Sequence, residues 1–392
     1  MKYVICCVLF LVGTLLTAQT KQLSPNAEIS ILTIGPGKNL YDTFGHTAIH
    51  VSDPSRQVNW VFNYGVFDFD TPNFYTKFAQ GQLLYKLGVG LYPDFYESYA
   101  GEQRWMKAQV LDLNVSQKQA VFDFLMTNAE PENSKYRYDF FYDNCATRPI
   151  DVLDASLEQG ISLHIDHFDQ GKTHRDLIHD YVPWNTWGRL GIDIALGSVI
   201  DKKVLPKHYL FLPDYTMAAF AKADLPSSNG TQALIKQTED RFIPEKEASY
   251  TITFLLSPIF ILSVLGLLLI YKTYKDLKSK RRPYLLDKLL FLVTGIIGIL
   301  LFLLWTATDH STTAWNYNLL WAFPVNVLAV FAFNKTKHKK WLLPYLKLLI
   351  ILLALLCTHW AIGVQIFAIT LIPVLGALLY RYIYIWKSFE RV

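Results

Sequence analysis

The stretch KYRYDFFYDNCATRPIDVLD, residues 135–154, marks the start of a helix and places a cysteine just before it. Pro149 has a fixed φ and no amide hydrogen, so a helix accepts it in its first turn and not deeper. The helix is therefore predicted to begin at Thr147 or Arg148, with Cys145 just ahead of its N-terminus. Free amides and the helix dipole at that end favour a thiolate, which is the reactive form of cysteine.

The N-terminal segment and the cysteine count indicate where this thiol resides. Residues 1–20 contain an early lysine, then an apolar run, then small and polar residues, which is typical of a secretory signal peptide. The alternative is an uncleaved signal anchor. Cys145 is the one cysteine between residues 22 and 250. Cys357 falls in a predicted membrane helix and so is not available to it. A disulfide within this part of the chain is therefore excluded, although pairing is usual outside the cytoplasm. Cys145 is either a small buried apolar side chain or a nucleophile, and its polar sequence neighbours favour the nucleophile.

Long apolar runs dominate the sequence from Thr251 onward and predict an all-α transmembrane domain over residues 251–392. Each run is near the length of about twenty residues that a helix needs to cross the hydrocarbon core. The five predicted helices cover residues 252–271, 285–305, 315–333, 341–357 and 361–385.

The connections between these runs predict their orientation. The segments at 271–283 and 334–340 are rich in lysine and arginine, whereas those at 306–314 and 358–362 contain neither. Basic loops stay on the cytoplasmic side, so an odd number of spans places the polar part of the chain outside and the C-terminus in the cytoplasm. These loops also account for the net charge of +4, and no nucleic-acid partner is predicted.

The polar part mixes strands and helices, which predicts an α+β domain over residues 22–221 and a linker over residues 222–250. Alternating apolar residues predict strands at 28–35, 45–53, 57–65, 83–91 and 108–113. Helices are predicted at 73–81, 93–107, 116–128 and 148–160.

The stretch FGHTAIHV (44–51) contains two of the seven histidines in this domain. On a strand, His46, Ala48 and His50 share one face, while the residues between them face the core. The histidine face is predicted to line an open groove, and a surface histidine with no chemical role is the alternative for His46. The histidines in residues 163–181 fit no tight set of metal ligands, so neither a metal nor another cofactor is predicted.

Several motifs together resemble one family. They are TFGHTAIHV (43–51), NYGVFDFDTPNFYTKFAQGQLLYKLG (63–88), FFYDNCATRPIDVLD (140–154), PWNTWGRLGIDIALGSVIDK (183–202), FLPDY (211–215) and TDHSTTAWNYNLLWAFP (308–324). In these motifs the chain resembles the Lnb-type bacterial lipoprotein N-acyltransferases, which join an N-terminal periplasmic domain to a polytopic membrane domain. The resemblance implies a permuted papain-like (NlpC-type) fold for the outer domain, related to lecithin:retinol acyltransferase and the NlpC-type peptidases. It also implies a location in the bacterial cytoplasmic (inner) membrane.

In the permuted order a strand histidine precedes a cysteine at a helix start, as His46 precedes Cys145. The resemblance implies that His46 activates Cys145 and that the thiolate takes an acyl chain from a membrane phospholipid as a thioester. The α-amine of a diacylglyceryl lipoprotein would then accept the chain as an amide. Phospholipid, lipoprotein and membrane are the implied partners.

Further polar residues are candidates for assisting this pair. Groups that could orient His46 or support an oxyanion are Asn63, His50, Asp53, Asn144 and Arg148. Related permuted enzymes use a polar residue on the next strand, which favours Asn63. Residues that could position substrate at the outer membrane face, or simply anchor the chain there, are Asp309, His310, Asn316 and Asn318.

Two other classes of function fit parts of the sequence. A cell-wall peptidase or amidase would use the same Cys–His pair, but the five predicted spans and the lack of a wall-binding module weigh against it. In a non-catalytic membrane assembly factor, Cys145 would have no chemical role.

Overall fold

The computed structural model describes residues 21–69, 71–168, 170–227, 230–245, 253–279, 284–333 and 340–390. Its strands are β1 (Glu28–Ile34), β2 (His46–Asp53), β3 (Val58–Phe67), β4 (Leu84–Leu91), β5 (Met106–Leu111), β6 (Lys135–Arg137), β7 (Asp224–Ser227), β8 (Gly230–Ala233) and β9 (Ile235–Phe242). Its α-helices are α1 (Phe74–Ala79), α2 (Tyr92–Gly101), α3 (Val115–Ala129), α4 (Arg148–Ser156), α5 (His174–Tyr181), α6 (Trp187–Ala195), α7 (Pro213–Phe220), α8 (Pro258–Ser279), α9 (Tyr284–Thr306), α10 (Asn326–Ala329), α11 (Leu342–Ala361) and α12 (Ile372–Glu390). The predicted signal peptide, and parts of the predicted linker and of both basic connections, lie outside the described residues.

Seven strands form one antiparallel sheet in the order β6-β4-β3-β2-β1-β5-β9, and β7 and β8 form a separate hairpin. The predicted linker over residues 222–250 is wrong for residues 235–242, because β9 pairs along β5 and closes one edge of the sheet. The sequence of β9, IKQTEDRF, is polar, and its residues are partly or fully exposed. Edge strands commonly carry charged residues, so hydrophobic alternation does not reveal them.

Different helices cover the two faces of the sheet. On one face Ile49 packs with Phe122 of α3 and with residues of α4. On the other face Ala48 is fully buried and packs with aromatic residues of α2, among them Tyr96. The face that carries Ala48 is therefore not the open groove that the sequence predicts. His46, the first residue of β2, is partly exposed because it lies at the strand end.

A third core forms between α5, α7 and the turns that join them. Arg175 on α5 is fully buried and pairs with Asp201 at 2.7 Å and with Asp193 of α6 at 3.1 Å. Breaking a buried ion pair leaves an uncompensated charge, so these contacts hold α6 firmly against α5.

Four helices of the described residues are long and apolar enough to cross a membrane: Pro258–Ser279, Tyr284–Thr306, Leu342–Ala361 and Ile369–Phe389. The prediction of five such helices is wrong at residues 315–333, which form short helical turns and the four-residue α10. Pro324 lacks an amide donor, and asparagine side chains in this stretch offer the backbone other hydrogen bonds. Hydropathy alone does not weigh these effects.

The segment 313–333 nevertheless runs the length of α9 in the opposite direction. Near the C-terminal end of α9, the Thr313 hydroxyl donates to the Leu304 carbonyl at 2.6 Å. Near its N-terminal end, Phe333 lies against Phe291 with ring centroids 5.0 Å apart. Irregular backbone at membrane depth is tolerated where it is buried in protein. One side of this segment, including Trp321 and Ala329, packs against the long helices, while Leu328 and Phe331 are exposed.

Backbone contacts join the described residues between 21 and 245, which we call the outer part of the chain, to the long helices. The Gly197 amide donates to the Thr312 carbonyl at 2.9 Å, and the Ser198 amide donates to the Trp315 carbonyl at 3.1 Å. A side chain on Gly197 would overlap the backbone of Ala314. The turn after α6 is thus fixed to the segment that follows α9.

Candidate active site

Two residues of the candidate site come from neighbouring strands. His46 begins β2, and Asn63 lies on β3 next to the residue that pairs with Ile49. His46 Nε2 lies 2.7 Å from Asn63 Oδ1. An amide oxygen can only accept, so Nε2 carries the hydrogen and Nδ1 remains for a partner on the other side of the ring. Of the candidates for orienting His46, Asn63 is the one that the structure brings into contact with it.

A bulge in β3 follows Asn63, where the register with β4 shifts before Val66. Gly65 in this bulge has a φ of 93°, which glycine adopts without strain. A methyl group on Gly65 would lie 3.6 Å from the ring of Tyr138 and 3.9 Å from Cβ of Cys145. The bulge therefore brings β3 next to Cys145, and the missing side chain leaves the space between them free.

Cys145 lies in the turn that leads into α4. The helix begins at Arg148 with Thr147 as its N-cap residue and Pro149 in its first turn, which confirms the prediction. Cys145 thus stands before the end of α4 that carries free amides and a positive dipole.

Asn144 shapes this turn. Its side-chain oxygen accepts hydrogen bonds from the amides of Ala146 at 2.8 Å and Thr147 at 3.0 Å. Its side-chain nitrogen donates to the carbonyls of Phe140 and Phe211, each at 2.8 Å. Because every polar atom of the buried side chain is occupied, Asn144 has a structural role instead of the predicted oxyanion support.

Cys145 and His46 lie close enough for their charges to interact. Burial raises the pKa of the thiol, but His46 and the backbone amides of Thr47 and Cys145 outweigh it, so the pKa of Cys145 lies below its usual value. Burial lowers the pKa of His46, but Cys145 and Asn63 together raise it above its usual value. Both shifts favour a thiolate–imidazolium pair.

Two tyrosines border the pair. Tyr99 of α2 lies over His46 in a nearly parallel orientation, with ring centroids 6.1 Å apart. Burial raises the pKa of Tyr136, and the charge of Cys145 adds to this, so the phenol stays protonated. Its hydroxyl is buried, has no hydrogen-bond partner among the described residues, and would lie 4.0 Å from a methyl group on Gly65. Tyr136 therefore offers a free donor beside Cys145.

Arg148 supports this tyrosine. Its guanidinium is held by two hydrogen bonds to Asp143 and lies over the Tyr136 ring, 4.0 Å from the centroid. The structure thus assigns to Arg148 the fixing of Tyr136, in place of the predicted direct support of an oxyanion.

His50 and Asp53 have other partners, which excludes both from orienting His46. His50 Nε2 lies 2.7 Å from Asn59 Oδ1, and its ring stacks on Tyr92 with centroids 4.2 Å apart. Burial under α2 lowers the pKa of His50 to about 4, so it is a neutral core histidine. Asp53 accepts hydrogen bonds from the amide and the hydroxyl of Ser24.

Asn316 and Asn318 are buried at the junction between the outer part and the helices. Asn316 Nδ2 donates to the carbonyls of Ile194 at 2.8 Å and Ala195 at 3.0 Å, and Asn318 Nδ2 donates to the carbonyl of Asp193 at 2.9 Å. These carbonyls end α6 and lack partners within the helix. Both asparagines therefore cap α6, which corrects their predicted role in positioning substrate.

Asp309 and His310 line a cavity of about 280 Å³ between the outer part and the end of α9, and Tyr138 also lines this cavity. Asp309 pairs with Arg137. The Asp309 amide donates to the Gln80 carbonyl at 2.8 Å. These two residues thus lie on the side of the site that faces the membrane helices.

Within the described ranges, no three His, Cys, Asp or Glu side chains are grouped so that they could hold a metal ion. Two of the four histidines in residues 163–181 each contact one acidic residue: His164 lies 2.8 Å from Asp224 and His179 lies 2.8 Å from Asp193.

Sequence reasoning missed Tyr99, Tyr136 and Gly65. Two sequence signals could have pointed to Tyr136 and Gly65. Tyr136 and Tyr138 alternate shortly before Cys145, as residues on one side of a strand do. A glycine inside a predicted strand marks a bulge or a close approach, and Gly65 has that position.

Two family models match the chain. The Lnb N-terminal periplasmic domain matches residues 17–190, and the Lnb transmembrane domain matches residues 249–391. The chain belongs to the Lnb family. The Lnb periplasmic domain contains Cys145, His46 and Asn63, and the Lnb transmembrane domain contains all four apolar helices. The molecule is thus a multi-pass membrane protein of a lipoprotein-processing family. No curated protein and no solved structure matches it.

Proposed function

We propose that this Lnb protein is a cysteine-dependent lipoprotein N-acyltransferase. It would move a fatty acyl chain from a phospholipid, through a thioester on Cys145, to the α-amine of the lipidated N-terminal cysteine of a lipoprotein. The observation that carries the proposal is the chain of contacts from Cys145 to His46 to Asn63. A strand histidine ahead of a helix-start cysteine also supports a permuted papain-like fold for the periplasmic part.

In the first step, the Cys145 thiolate attacks the ester carbonyl of the phospholipid. A carbon–sulfur bond forms, the carbon–oxygen bond of the ester breaks, and the His46 imidazolium gives its proton to the departing alkoxide. A lysophospholipid leaves. The Asn63 side chain keeps the imidazole ring in one orientation throughout, since Nε2 stays bound to its oxygen.

In the second step, the neutral α-amine of the lipoprotein attacks the thioester carbonyl. A carbon–nitrogen bond forms, neutral His46 takes the proton from the nitrogen, and the carbon–sulfur bond breaks to restore the thiolate. The product is an amide, which is more stable than the thioester, so the transfer proceeds in the direction of N-acylation.

Each step passes through a tetrahedral oxyanion next to Cys145. The free hydroxyl of Tyr136 lies beside Cys145 and keeps its proton, so we assign it to donate a hydrogen bond to this oxygen. A buried donor with no competing partner needs no reorganisation when the charge develops. The backbone amides that contact the Cys145 sulfur are the other donors at hand.

The direction of the long helices supports a site on the periplasmic side of the cytoplasmic membrane. The end of α8 is rich in lysine, whereas Asp309 and the rest of the loop after α9 contact the outer part of the chain. By the positive-inside rule the end of α8 and the C-terminus are cytoplasmic. Donor lipid and lipidated acceptor would both be held in the same bilayer as the site, which raises their effective concentration.

Mass spectrometry of the N-terminal peptide of a lipoprotein, from cells with and without this protein, tests the proposal. We expect one additional amide-linked acyl chain when the protein is present and none with Cys145→Ser or His46→Gln. Matched controls are Cys357→Ser, on a membrane helix, and His50→Gln, on the same strand as His46; both should keep the modification.

Three outcomes would overturn the proposal. An unchanged acyl count with and without the protein excludes acyl transfer. Full modification by Cys145→Ser excludes a thioester and leaves a non-catalytic assembly role. Altered cell-wall peptides in place of altered lipoproteins indicate a peptidase or amidase.

A further inference from the structure

A cluster of aromatic side chains is exposed on and beside α1. Its members, which we call the aromatic surface, are Phe67, Phe69, Phe74, Tyr75 and Phe78. Phe69, Tyr75 and Phe78 are 72%, 84% and 51% exposed. A soluble domain rarely exposes so many large rings in one patch, and such a patch marks a site of contact with a partner or a membrane.

The chain connections place the aromatic surface at the level of the membrane boundary. The Gln80 carbonyl, one residue after α1, accepts from the Asp309 amide at 2.8 Å, and the Gln82 side chain donates to the Asp309 carboxylate at 3.2 Å. Asp309 follows the end of α9 by three residues. Beside it, Trp305 and Trp315 lie 5.2 Å apart. Tryptophans at the end of a membrane helix are typical of the interface with water.

A continuous row of rings leads from the aromatic surface to the nucleophile. Phe67 lies 4.7 Å from Tyr85 between ring centroids, and Tyr85 stacks on Tyr138 at 4.3 Å. A methyl group on Gly65 would lie 3.6 Å from the Tyr138 ring and 3.9 Å from Cβ of Cys145, so Tyr138 and Cys145 border the same small space. Apolar contact is thus available from the exposed rings to the thiol.

We propose that the aromatic surface inserts into the periplasmic leaflet of the membrane and that a phospholipid acyl chain reaches Cys145 along Phe67, Tyr85 and Tyr138. Insertion removes the exposed rings from water, while the continuity with α9 holds them at the depth where rings are stable. The delivery of an acyl chain rests on the proposed function; the insertion does not.

Nitroxide labels in the full-length protein test the insertion. The labels are attached to Phe69→Cys and Tyr75→Cys, with the other cysteines replaced by serine, in phospholipid nanodiscs. The matched control is Leu91→Cys, which is also exposed but lies at the opposite end of β4, six residues from Tyr85 and so about 20 Å away. Accessibility to oxygen and to an aqueous nickel chelate reports the depth of each label.

We expect the labels at positions 69 and 75 to be accessible to oxygen and shielded from the nickel chelate, and the label at position 91 to be accessible to both. Equal access of nickel to all three labels would overturn the insertion. The labelled proteins lack Cys145, so this result does not depend on any catalytic activity.

A double substitution, Phe69→Asp with Tyr75→Asp, tests the delivery. We expect acyl transfer from a phospholipid bilayer to slow by about tenfold or more, while alkylation of Cys145 by iodoacetamide keeps its rate. The control Leu91→Asp should change neither rate. An unchanged transfer rate in the double variant would refute the route. If the unaltered protein transfers no acyl chain, the proposed function fails, and the nitroxide depths still decide the insertion.

Discussion

Removal of the Asn63 side chain tests how far the reaction depends on the orientation of His46. In Asn63→Ala the imidazole loses the partner that holds Nε2 at 2.7 Å. A hydrogen bond to a charged group contributes about 1.5–3 kcal/mol. If that bond is fully used in the transition state, the acylation rate should fall by about 10- to 150-fold. Asn63→Asp keeps an acceptor in place, so it should restore most of the rate, and its negative charge should raise the pKa of His46 further.

The assay is a single turnover in which the thioester on Cys145 is quenched and measured by mass spectrometry. Asn59→Ala is a matched control, because Asn59 holds His50 on the same two strands with the same 2.7 Å distance. It should lower stability by about 1 kcal/mol without a comparable loss of rate. If Asn63→Ala is acylated on Cys145 as fast as Asn59→Ala, Asn63 does not orient His46, and its proposed role is wrong.

Four further predictions address single groups. Iodoacetamide should alkylate Cys145 rapidly near neutral pH, and His46→Ala should shift the rate profile towards the higher pH of an ordinary thiol, since His46 lowers the pKa of Cys145. Tyr136→Phe should slow acylation by about 100- to 1,000-fold while leaving alkylation unchanged, and equal acylation rates would exclude Tyr136 as the oxyanion donor. Folded His50 stays neutral until its pKa of about 4, whereas unfolded His50 is protonated below 6.5. The contribution of His50 to the free energy of unfolding is therefore complete above pH 6.5, and it falls by about 1.4 kcal/mol for each unit by which the pH is lowered from 6.5 towards 4. Urea unfolding of His50→Phe should not show this slope. Gly197→Val should lower the melting temperature in detergent, because the new side chain overlaps the backbone of Ala314.

The local features of the site could be predicted because short stretches of sequence determine them. Pro149 fixes the first turn of α4, and thereby the position of Cys145 before it. The alternation in FGHTAIHV fixes β2 and places His46 at its end. The choice of Asn63 over the other candidates needed the register between β2 and β3, which only the folded sheet supplies.

What could not be predicted depends on contacts between distant parts of the chain. Whether His50 faces solvent or core is decided by α2, which covers it, and not by its own strand. The role of Asn316 is decided by the carbonyls of α6, more than a hundred residues earlier. Residues 315–333 are apolar enough for a continuous helix, but their short turns pack against α9, and composition does not encode that packing.

The contacts around Gly197 and Asn316 fix α6 and the turn after it to the segment that follows α9. In the proposed reaction, this attachment would keep the Cys145 site at a constant distance from the ends of the membrane helices. A thiol that is held at a constant distance from the membrane can react only with groups that lie at the same depth. A phospholipid ester lies at the bilayer boundary. In the proposed reaction, the α-amine of a lipoprotein belongs to the residue that carries the lipid, so it is confined to the same layer. Lysine amines farther along that polypeptide would lie at other distances from the membrane. If the proposed reaction is correct, the depth of the N-terminal amine in the membrane would be enough to select it, without a particular acceptor sequence.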